Sequence, residues 1–155
     1  FELQHIAGTA AIGTDEGETI VFSHGTVLRV YLHGKQTYEV NSGHKAAITE
    51  ILFNKQGNKL TSASDDTTVL LWRINGGKLT RVKKLGGHTG SVFSVCFTQH
   101  GDYMATAGQD QCIKIWDCSN WGNVCTLIQA HTNQITACAF DSTCSKLVSG
   151  GEDRT

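Results

Sequence analysis

The chain has 155 residues, of which 39% are hydrophobic, so it can bury a core of ordinary single-domain size. Thirteen basic and 14 acidic residues leave a net charge of −1. This charge disfavours nucleic acid as the main partner, because the protein has no excess of basic side chains to displace the counterions of the phosphates. No apolar run approaches the roughly 20 residues that cross a bilayer, and no signal-peptide pattern is present.

Residues 91–128 alternate between strand-forming runs and turns. Four runs are rich in β-branched and aromatic residues or alternate as half-buried strands do: SVFSVCFT (91–98), YMATAG (103–108), CIKIW (112–116) and VCTLI (124–128). The intervening QHGD and NWGN segments predict tight turns. No stretch of the sequence shows a sustained helical period with capping signals. The pattern predicts a unit of four short antiparallel strands.

The same unit recurs every 43 to 44 residues. His44, His88 and His131 are separated by 44 and 43 residues, and an aspartate follows each histidine after 22 residues. The apolar positions keep this register: Ile48, Val92 and Ile135; Ile51, Val95 and Cys138; Phe53, Phe97 and Phe140; Leu60, Met104 and Leu147. Four strands in about 40–45 residues, with Gly-His near the start and Trp-Asp near the end, are typical of a β-propeller blade.

The chain resembles the WD-repeat β-propeller family over about 110 of its 155 residues. GHKAAITEILFNKQGNKLTSASDDTTVLLW (43–72) and GHTGSVFSVCFTQHGDYMATAGQDQCIKIWD (87–117) match the family's repeat almost from end to end, and AHTNQITACAFDSTCSKLVSGGEDRT (130–155) matches as far as it runs. Ala130 replaces the usual glycine, and Arg73 replaces the aspartate after Trp72. In the weak repeat before residue 43, His24 and Val30 stand where the aspartate and tryptophan belong.

The resemblance implies an all-β fold, a partial propeller ring of four-stranded antiparallel blades. We expect one propeller domain made of a degenerate blade at 1–42, WD blades at 43–86 and 87–129, and a truncated WD blade at 130–155. Closed propellers have about 4–8 blades. We therefore expect further residues of the same protein, or another chain, to complete the ring and cover its strand edges.

Each unit carries a set of polar residues, which we call a polar set. The three sets are His44, Ser62, Asp66 and Trp72; His88, Thr106, Asp110 and Trp116; and His131, Ser149 and Asp153. A histidine, a hydroxyl and an aspartate could form a hydrolase triad. A triad is normally needed once, whereas this set occurs three times, and the resemblance implies a buried hydrogen-bonded chain. We therefore predict a structural role and no catalytic residues.

In the WD-repeat family, partners bind the rim of the narrow face. The resemblance implies three contact positions per blade: the first and third residues of the inner strand and the residue before the aspartate. The nine rim positions are Ala47, Thr49 and Asp65; Ser91, Phe93 and Gln109; and Gln134, Thr136 and Glu152. Phe93 is either an aromatic binding anchor or a packing residue between blades.

The six cysteines do not show the two-residue spacing of a zinc knuckle or a redox motif. They are Cys96, Cys112, Cys118, Cys125, Cys138 and Cys144. Several lie in apolar alternating runs, where a thiol packs as a small hydrophobe. We predict reduced structural cysteines in an intracellular protein, cytoplasmic or nuclear, without metal or cofactor. A disulfide or an assembled metal site is the alternative.

Other motifs point to surface features. RVKK (81–84) predicts a solvated outer strand protected by charge, with an acidic-partner site as the alternative. GTDEGE (13–18) lacks the ligand spacing of a calcium loop and predicts a surface turn. In ubiquitin-ligase receptors of the WD-repeat family, an arginine stands two residues after the Trp-Asp pair, and Ser119 occupies that place here.

These observations predict a non-catalytic protein-protein interaction scaffold, part of a larger protein or complex. Its partners would be other proteins or peptides, with no membrane insertion. The alternative is a recognition or autoinhibitory propeller domain of a multidomain enzyme or sensor whose catalytic domain lies outside this chain. A nucleotide-binding motif or catalytic domain in the flanking sequence would favour that alternative.

Overall fold

Residues 10–13, 19–76 and 78–155 are described by a computed structural model, and they contain fourteen β-strands and no helix. The prediction of an all-β fold is therefore confirmed. No apolar helix of membrane-spanning length occurs in this part of the chain. The predicted surface turn at 13–18 falls almost entirely outside the described residues.

The strands form four antiparallel sheets in chain order. The first sheet contains β1 (Ala10–Gly13), β2 (Thr19–His24), β3 (Val27–Leu32) and β4 (Lys35–Asn41). The second contains β5 (Ile48–Phe53), β6 (Lys59–Ser64), β7 (Val69–Asn75) and β8 (Lys78–Leu85). The third contains β9 (Val92–Phe97), β10 (Tyr103–Gly108), β11 (Ile113–Asp117) and β12 (Asn123–Leu127). The fourth contains β13 (Ile135–Phe140) and β14 (Leu147–Gly151).

Within each sheet, every strand pairs with the next strand along the chain. The first strands of successive sheets (β1, β5, β9 and β13) contact one another, so the sheets stand side by side around a common inner edge. The fourth strand of each complete sheet lies at the outer edge, where Arg81, Val82, Lys83 and Lys84 of β8 are exposed. This is the blade arrangement of a propeller.

The hydrophobic core consists of three layers, each sandwiched between consecutive sheets. The apolar positions that recur in the sequence point toward the preceding sheet in every case. Ile48 and Leu60 pack against the first sheet, Val92 and Met104 against the second, and Ile135 against the third. Side chains alternate between the two faces of a strand, so the residues between these positions pack against the following sheet.

The middle strands of the second sheet are covered on both faces. Leu60 is fully buried against the first sheet, whereas Ala63 on the same strand is fully buried against the third. The first sheet lacks a complete polar set. Val30 occupies the expected tryptophan position as a fully buried core residue, and His24 is exposed.

Polar side chains of the inner strands connect neighbouring sheets. The Thr49 hydroxyl donates to the Val92 carbonyl, and the Glu50 carboxylate accepts the Val95 amide. One sheet further along, the Cys138 amide donates to the Ser94 hydroxyl at 3.1 Å. Glu50 and Ser94 are 44 residues apart, so the same repeat position links two successive pairs of sheets.

Candidate functional site

The polar set of the third sheet forms one continuous hydrogen-bonded chain. His88 Nδ1 lies 2.9 Å from Asp110 Oδ2, and His88 Nε2 lies 2.8 Å from Thr106 Oγ1. The Trp116 indole Nε1 donates to the same hydroxyl at 3.0 Å. The chain therefore runs from the segment before β9, through β10, to β11, and connects three elements that are distant in sequence.

The other polar sets have the same geometry. In the second sheet, the His44–Asp66, His44–Ser62 and Trp72–Ser62 side-chain distances are 3.0, 2.9 and 3.0 Å. In the fourth sheet, His131 Nδ1 lies 2.9 Å from Asp153 Oδ1, and His131 Nε2 lies 2.8 Å from Ser149 Oγ. The three histidine–aspartate pairs have side-chain exposures of 0–8%.

The hydrogen bonds run in one direction along each chain. A carboxylate only accepts, so the histidine Nδ1 must carry the proton and donate it. The unprotonated Nε2 then accepts from the serine or threonine hydroxyl. In the two complete sets, this hydroxyl in turn accepts the tryptophan N–H. Every polar atom is satisfied by this order, and the buried groups incur no penalty for a missing partner.

The charge states agree with this order. Burial lowers the pKa of the His44 and His88 rings, although the neighbouring carboxylates favour the protonated form. Burial alone would raise the pKa of the Asp66 carboxyl. Hydrogen bonds from the Thr68 hydroxyl, the Lys45 amide and the histidine ring outweigh it and lower this pKa to about 2. The His44–Asp66 pair therefore consists of a neutral ring and a carboxylate at pH 7.

Each aspartate also holds the backbone around it. Asp66 accepts the Lys45 amide at 2.8 Å and the Thr68 amide at 3.0 Å, so its carboxylate fixes both the segment before β5 and its own turn. The residue after each aspartate has a left-handed φ: 70° at Thr67, 63° at Gln111 and 68° at Arg154. Non-glycine residues rarely adopt this conformation, and the hydrogen bond that the carboxylate accepts from the amide two residues after the aspartate helps to hold the turn in it.

The sequence did not reveal the residue two positions after each aspartate as a member of the set. The Thr68 hydroxyl donates to Asp66 Oδ1 at 2.5 Å, and the Thr155 hydroxyl donates to Asp153 Oδ1 at 2.8 Å. Cys112 takes this place in the third sheet, and its thiol donates to the Asp110 carbonyl instead, at 3.2 Å. The threonines recur in the 43–44 residue register, which is the signal that could have identified them.

The hydroxyls of the two complete polar sets are closed to substrates. Ser62 and Thr106 are 0% exposed, and each oxygen already accepts a tryptophan N–H. A nucleophile must approach a substrate carbonyl directly, which this burial prevents. Ser149 of the fourth sheet is half-buried.

Thr49, Phe93 and Thr136, expected from the sequence as the third residues of the inner strands, are the second residues of β5, β9 and β13 and lie at β-bulges. Ile48 pairs with Ser64 and Glu50 with Ala63, which leaves Thr49 without a partner across the ladder. The register shifts at the same place in the other sheets, at Phe93 and Thr136. A bulge redirects the side chain of the extra residue. These three residues are the third-position members of the predicted rim, and residue type alone gave no sign of the bulge.

Glycine at position 108 permits the bulge of the third sheet. Gly108 pairs with Val92, and a Cβ atom at Gly108 would lie 2.0 Å from the Ser91 carbonyl oxygen. No side chain fits at that distance unless the backbone moves. The two strands therefore approach closely beside Phe93.

The other two rim positions of each sheet are joined by a backbone hydrogen bond. The amide of the residue before the aspartate donates to the carbonyl of the first inner-strand position. The three bonds, Asp65 to Ala47, Gln109 to Ser91 and Glu152 to Gln134, measure 3.0, 2.8 and 3.0 Å. These predicted residues therefore lie at one end of the strands in each sheet, where the inner strand begins and the second strand ends.

The rim positions differ in exposure. The exposed members are Ala47, Asp65, Gln109, Thr136 and Glu152, and the half-buried members are Thr49, Ser91, Phe93 and Gln134. Thr49 already donates its hydroxyl proton to the neighbouring sheet, at the carbonyl that precedes Phe93. Gln109 accepts the Ser91 amide through its side-chain oxygen at 3.2 Å.

Asp117 closes the turn after β11. Its carboxylate accepts the Ser119 amide and hydroxyl at 2.7 and 2.6 Å and the Asn120 side chain at 3.2 Å. These bonds from Ser119 and Asn120 lower the pKa of the Asp117 carboxyl. Ser119, which stands where ligase receptors carry an arginine, is part of this turn.

All six cysteines are free thiols. Cys96 and Cys138 are 42 residues apart in sequence, but their sulfur atoms lie 3.5 Å apart. Burial raises the pKa of the Cys118 thiol to about 11. Within the residues that the structure describes, no three histidine, cysteine or acidic side chains gather into a group that could hold a metal ion.

A comparison with protein families decides the classification. The family described as "WD domain, G-beta repeat" matches residues 34–73, 79–117 and 122–155, which together exceed half of the chain. The chain belongs to this WD-repeat family. The first matched segment of the WD-repeat chain starts just before β4 of the first sheet and ends in β7 of the second. Each family repeat therefore spans two blades.

Solved structures with the same fold come from polycomb repressive complex 2 of Chaetomium thermophilum. One crystal structure of this complex matches with a TM-score of 0.79 at 23% identity, covering 92% of the WD-repeat chain and 34% of its counterpart. The complex bound to GSK126 gives 0.81 at 23%, covering 97% and 38%. The apo complex in an autoinhibited state gives 0.81 at 23%, covering 92% and 35%. The WD-repeat chain thus spans about a third of these chains.

We expect Asp110→Ala to lower the stability of the intact protein by about 1–3 kcal/mol, because His88 and two backbone amides lose their acceptor. Asp117→Ala is the matched control, since it removes an aspartate from an exposed turn of the same sheet and should change stability far less. Urea unfolding of both variants measures the difference. Equal losses would contradict the structural role of the polar set.

We expect Cys112→Thr to raise stability by about 0.5–1.5 kcal/mol, because a threonine hydroxyl can donate to Asp110 as Thr68 does to Asp66. The reverse change, Thr68→Cys, should lower stability by a similar amount. Both are measured from the urea unfolding midpoint. If neither variant moves the midpoint, the hydroxyl-to-carboxylate bond does not stabilise the turn.

Proposed function

We propose that this WD-repeat chain is part of a non-catalytic protein-protein interaction scaffold, and that its partners bind the nine rim positions. The observation that supports the proposal is the β-bulge at Phe93, a half-buried aromatic residue, because the register shifts opposite it at Gly108, directly before the exposed Gln109. An aromatic group next to polar rim groups is the usual chemistry of a binding hot spot.

The chemistry of the rim favours a partner with an apolar and a basic group. Asp65 and Glu152 are exposed carboxylates, and none of the nine positions carries a basic side chain. An apolar group of the partner would pack against the Phe93 ring. A basic or hydrogen-bonding group would lie near Gln109 and Asp65. Charge complementarity of this kind contributes mainly to specificity and to the rate of association.

The polar sets support a scaffold more than a hydrolase. Hydrolysis needs a hydroxyl that a substrate can reach, and Ser62 and Thr106 are fully buried. Each of these hydroxyl oxygens also accepts a tryptophan N–H, and this hydrogen bond holds the oxygen in its buried position. We infer that the polar sets fix the positions of the strand ends at which the rim lies and that no residue of this chain performs catalysis.

The structural relatives support membership in a larger assembly. They are chains of a multisubunit complex, and this chain spans 34–38% of their length. We propose that the blades run over 1–42, 43–86, 87–129 and 130–155 of one propeller and that the protein works in an intracellular complex, cytoplasmic or nuclear. One of the similar structures is described as a complex in an autoinhibited state, so the second candidate is a recognition or autoinhibitory propeller domain of a multidomain enzyme or sensor whose catalytic domain lies outside this chain.

We expect Phe93→Ala to weaken partner binding about thirtyfold or more, equivalent to about 2 kcal/mol, while the melting temperature changes little. Phe97→Ala is the matched control, because Phe97 lies on the same strand but packs against the core between the second and third sheets. It should lower the melting temperature and leave the affinity of the folded protein unchanged.

The measurement uses the full-length protein and a purified partner from its own cells, with affinity determined by calorimetry and stability by thermal unfolding. If Phe93→Ala unfolds the protein as Phe97→Ala does, Phe93 is a packing residue and the rim assignment is wrong. If both variants bind normally, the partner uses another surface.

A further inference from the structure

Two thiols meet where the third and fourth sheets pack together. Cys96 lies on β9 and Cys138 on β13, the inner strands of these sheets, and their sulfur atoms are 3.5 Å apart. The residues are 42 positions apart in sequence, so the contact exists only because the two blades pack together. Cys96 is 8% exposed and Cys138 is half-buried, so Cys138 is the more exposed of the two residues.

The backbone around the two thiols is held in place. The Cys138 amide donates to the Ser94 hydroxyl at 3.1 Å, and Ser94 lies two residues before Cys96 on the same strand. The same hydroxyl lies 3.7 Å from the Cys138 sulfur. This link joins the two strands directly beside the thiols, whose sulfur atoms must still approach from 3.5 Å to the length of about 2.05 Å of a disulfide bond.

The two thiols are chemically unequal. The hydrogen bond between them lowers the pKa of the Cys138 thiol and raises that of the Cys96 thiol, and burial raises the latter further. The thiolate is the reactive form of cysteine. Cys138, which is also the more exposed of the two, is therefore the side chain that an oxidant meets first.

We propose that Cys96 and Cys138 form a paired-thiol site that reacts with peroxides and closes a disulfide between the third and fourth blades. The Cys138 thiol releases its proton and its sulfur attacks one peroxide oxygen. The O–O bond breaks, the departing hydroxide takes up that proton and leaves as the first water, and the Cys138 sulfur becomes a sulfenic acid. The Cys96 sulfur then attacks that sulfur, loses its proton and expels the second water. Two thiols lose two electrons, and the peroxide gains them.

The disulfide would act as a covalent link between two blades that otherwise associate through packing. It closes a long loop of the chain, which reduces the freedom of the unfolded state. The positions equivalent to Cys96 and Cys138 in the preceding sheets are Leu52 and Val95, so the thiol pair belongs to this one interface among the described sheets. The site is independent of the rim and of the partner proposed above.

The test uses the full-length protein, reduced and then exposed to a small excess of hydrogen peroxide. Remaining thiols are alkylated, and the tryptic peptides are sequenced by mass spectrometry. We expect residues 85–114 and 115–146 to be joined by a bond that fragmentation assigns to Cys96 and Cys138. The melting temperature of the oxidised protein should rise by several degrees, and a reductant should reverse both changes.

Three variants make the test specific. Cys96→Ser and Cys138→Ala each should lose the cross-link and the rise in melting temperature. Cys125→Ser is the matched control, because it removes an exposed cysteine of the same sheet and should retain both. Full alkylation of Cys96 and Cys138 after peroxide treatment would overturn the proposal. So would a Cys138 that stops at sulfinic acid, or a cross-link that survives in either variant.

Discussion

The bond between each buried histidine and the aspartate 22 residues later joins the entry of a sheet to the turn after its second strand. Because the ring also accepts a hydroxyl proton at its other nitrogen, its position is fixed at both ends. The same carboxylate accepts backbone amides on both sides, so one side chain orders two segments. We propose that this arrangement fixes the strand ends that form the rim, where partners would bind.

The blades depend on one another as well as on their own polar sets. A four-stranded sheet with two apolar faces cannot bury them alone, and here each core layer lies between two sheets. Repetition makes the three rims equivalent in backbone and different in side chain. At the bulge the residues are Thr49, Phe93 and Thr136, and only Phe93 is aromatic. The pair of Cys96 and Cys138 likewise occurs at one interface among the described sheets, because the equivalent residues of the preceding pair of sheets are Leu52 and Val95.

The 43–44 residue period predicted most of the fold, because spacing and residue type agree at many positions. The run at 91–98 became β9 at Val92–Phe97, and the predicted members of each polar set lie within hydrogen-bonding distance. The bulges were not predictable, since they depend on strand register and not on residue type. The contact of Cys96 with Cys138 was also hidden, because a period within the chain does not reveal which side chains of neighbouring blades meet.

Nitrogen-15 NMR of the histidine rings at neutral pH tests the central claim most directly. Protons bound to each ring nitrogen are identified by their one-bond coupling in the full-length protein. The account predicts a proton on Nδ1 and none on Nε2 for His44, His88 and His131. The exposed His24, His33 and His100 serve as internal references that exchange between tautomers. A proton on Nε2 of any of the three buried rings would contradict the proposed order of hydrogen bonds.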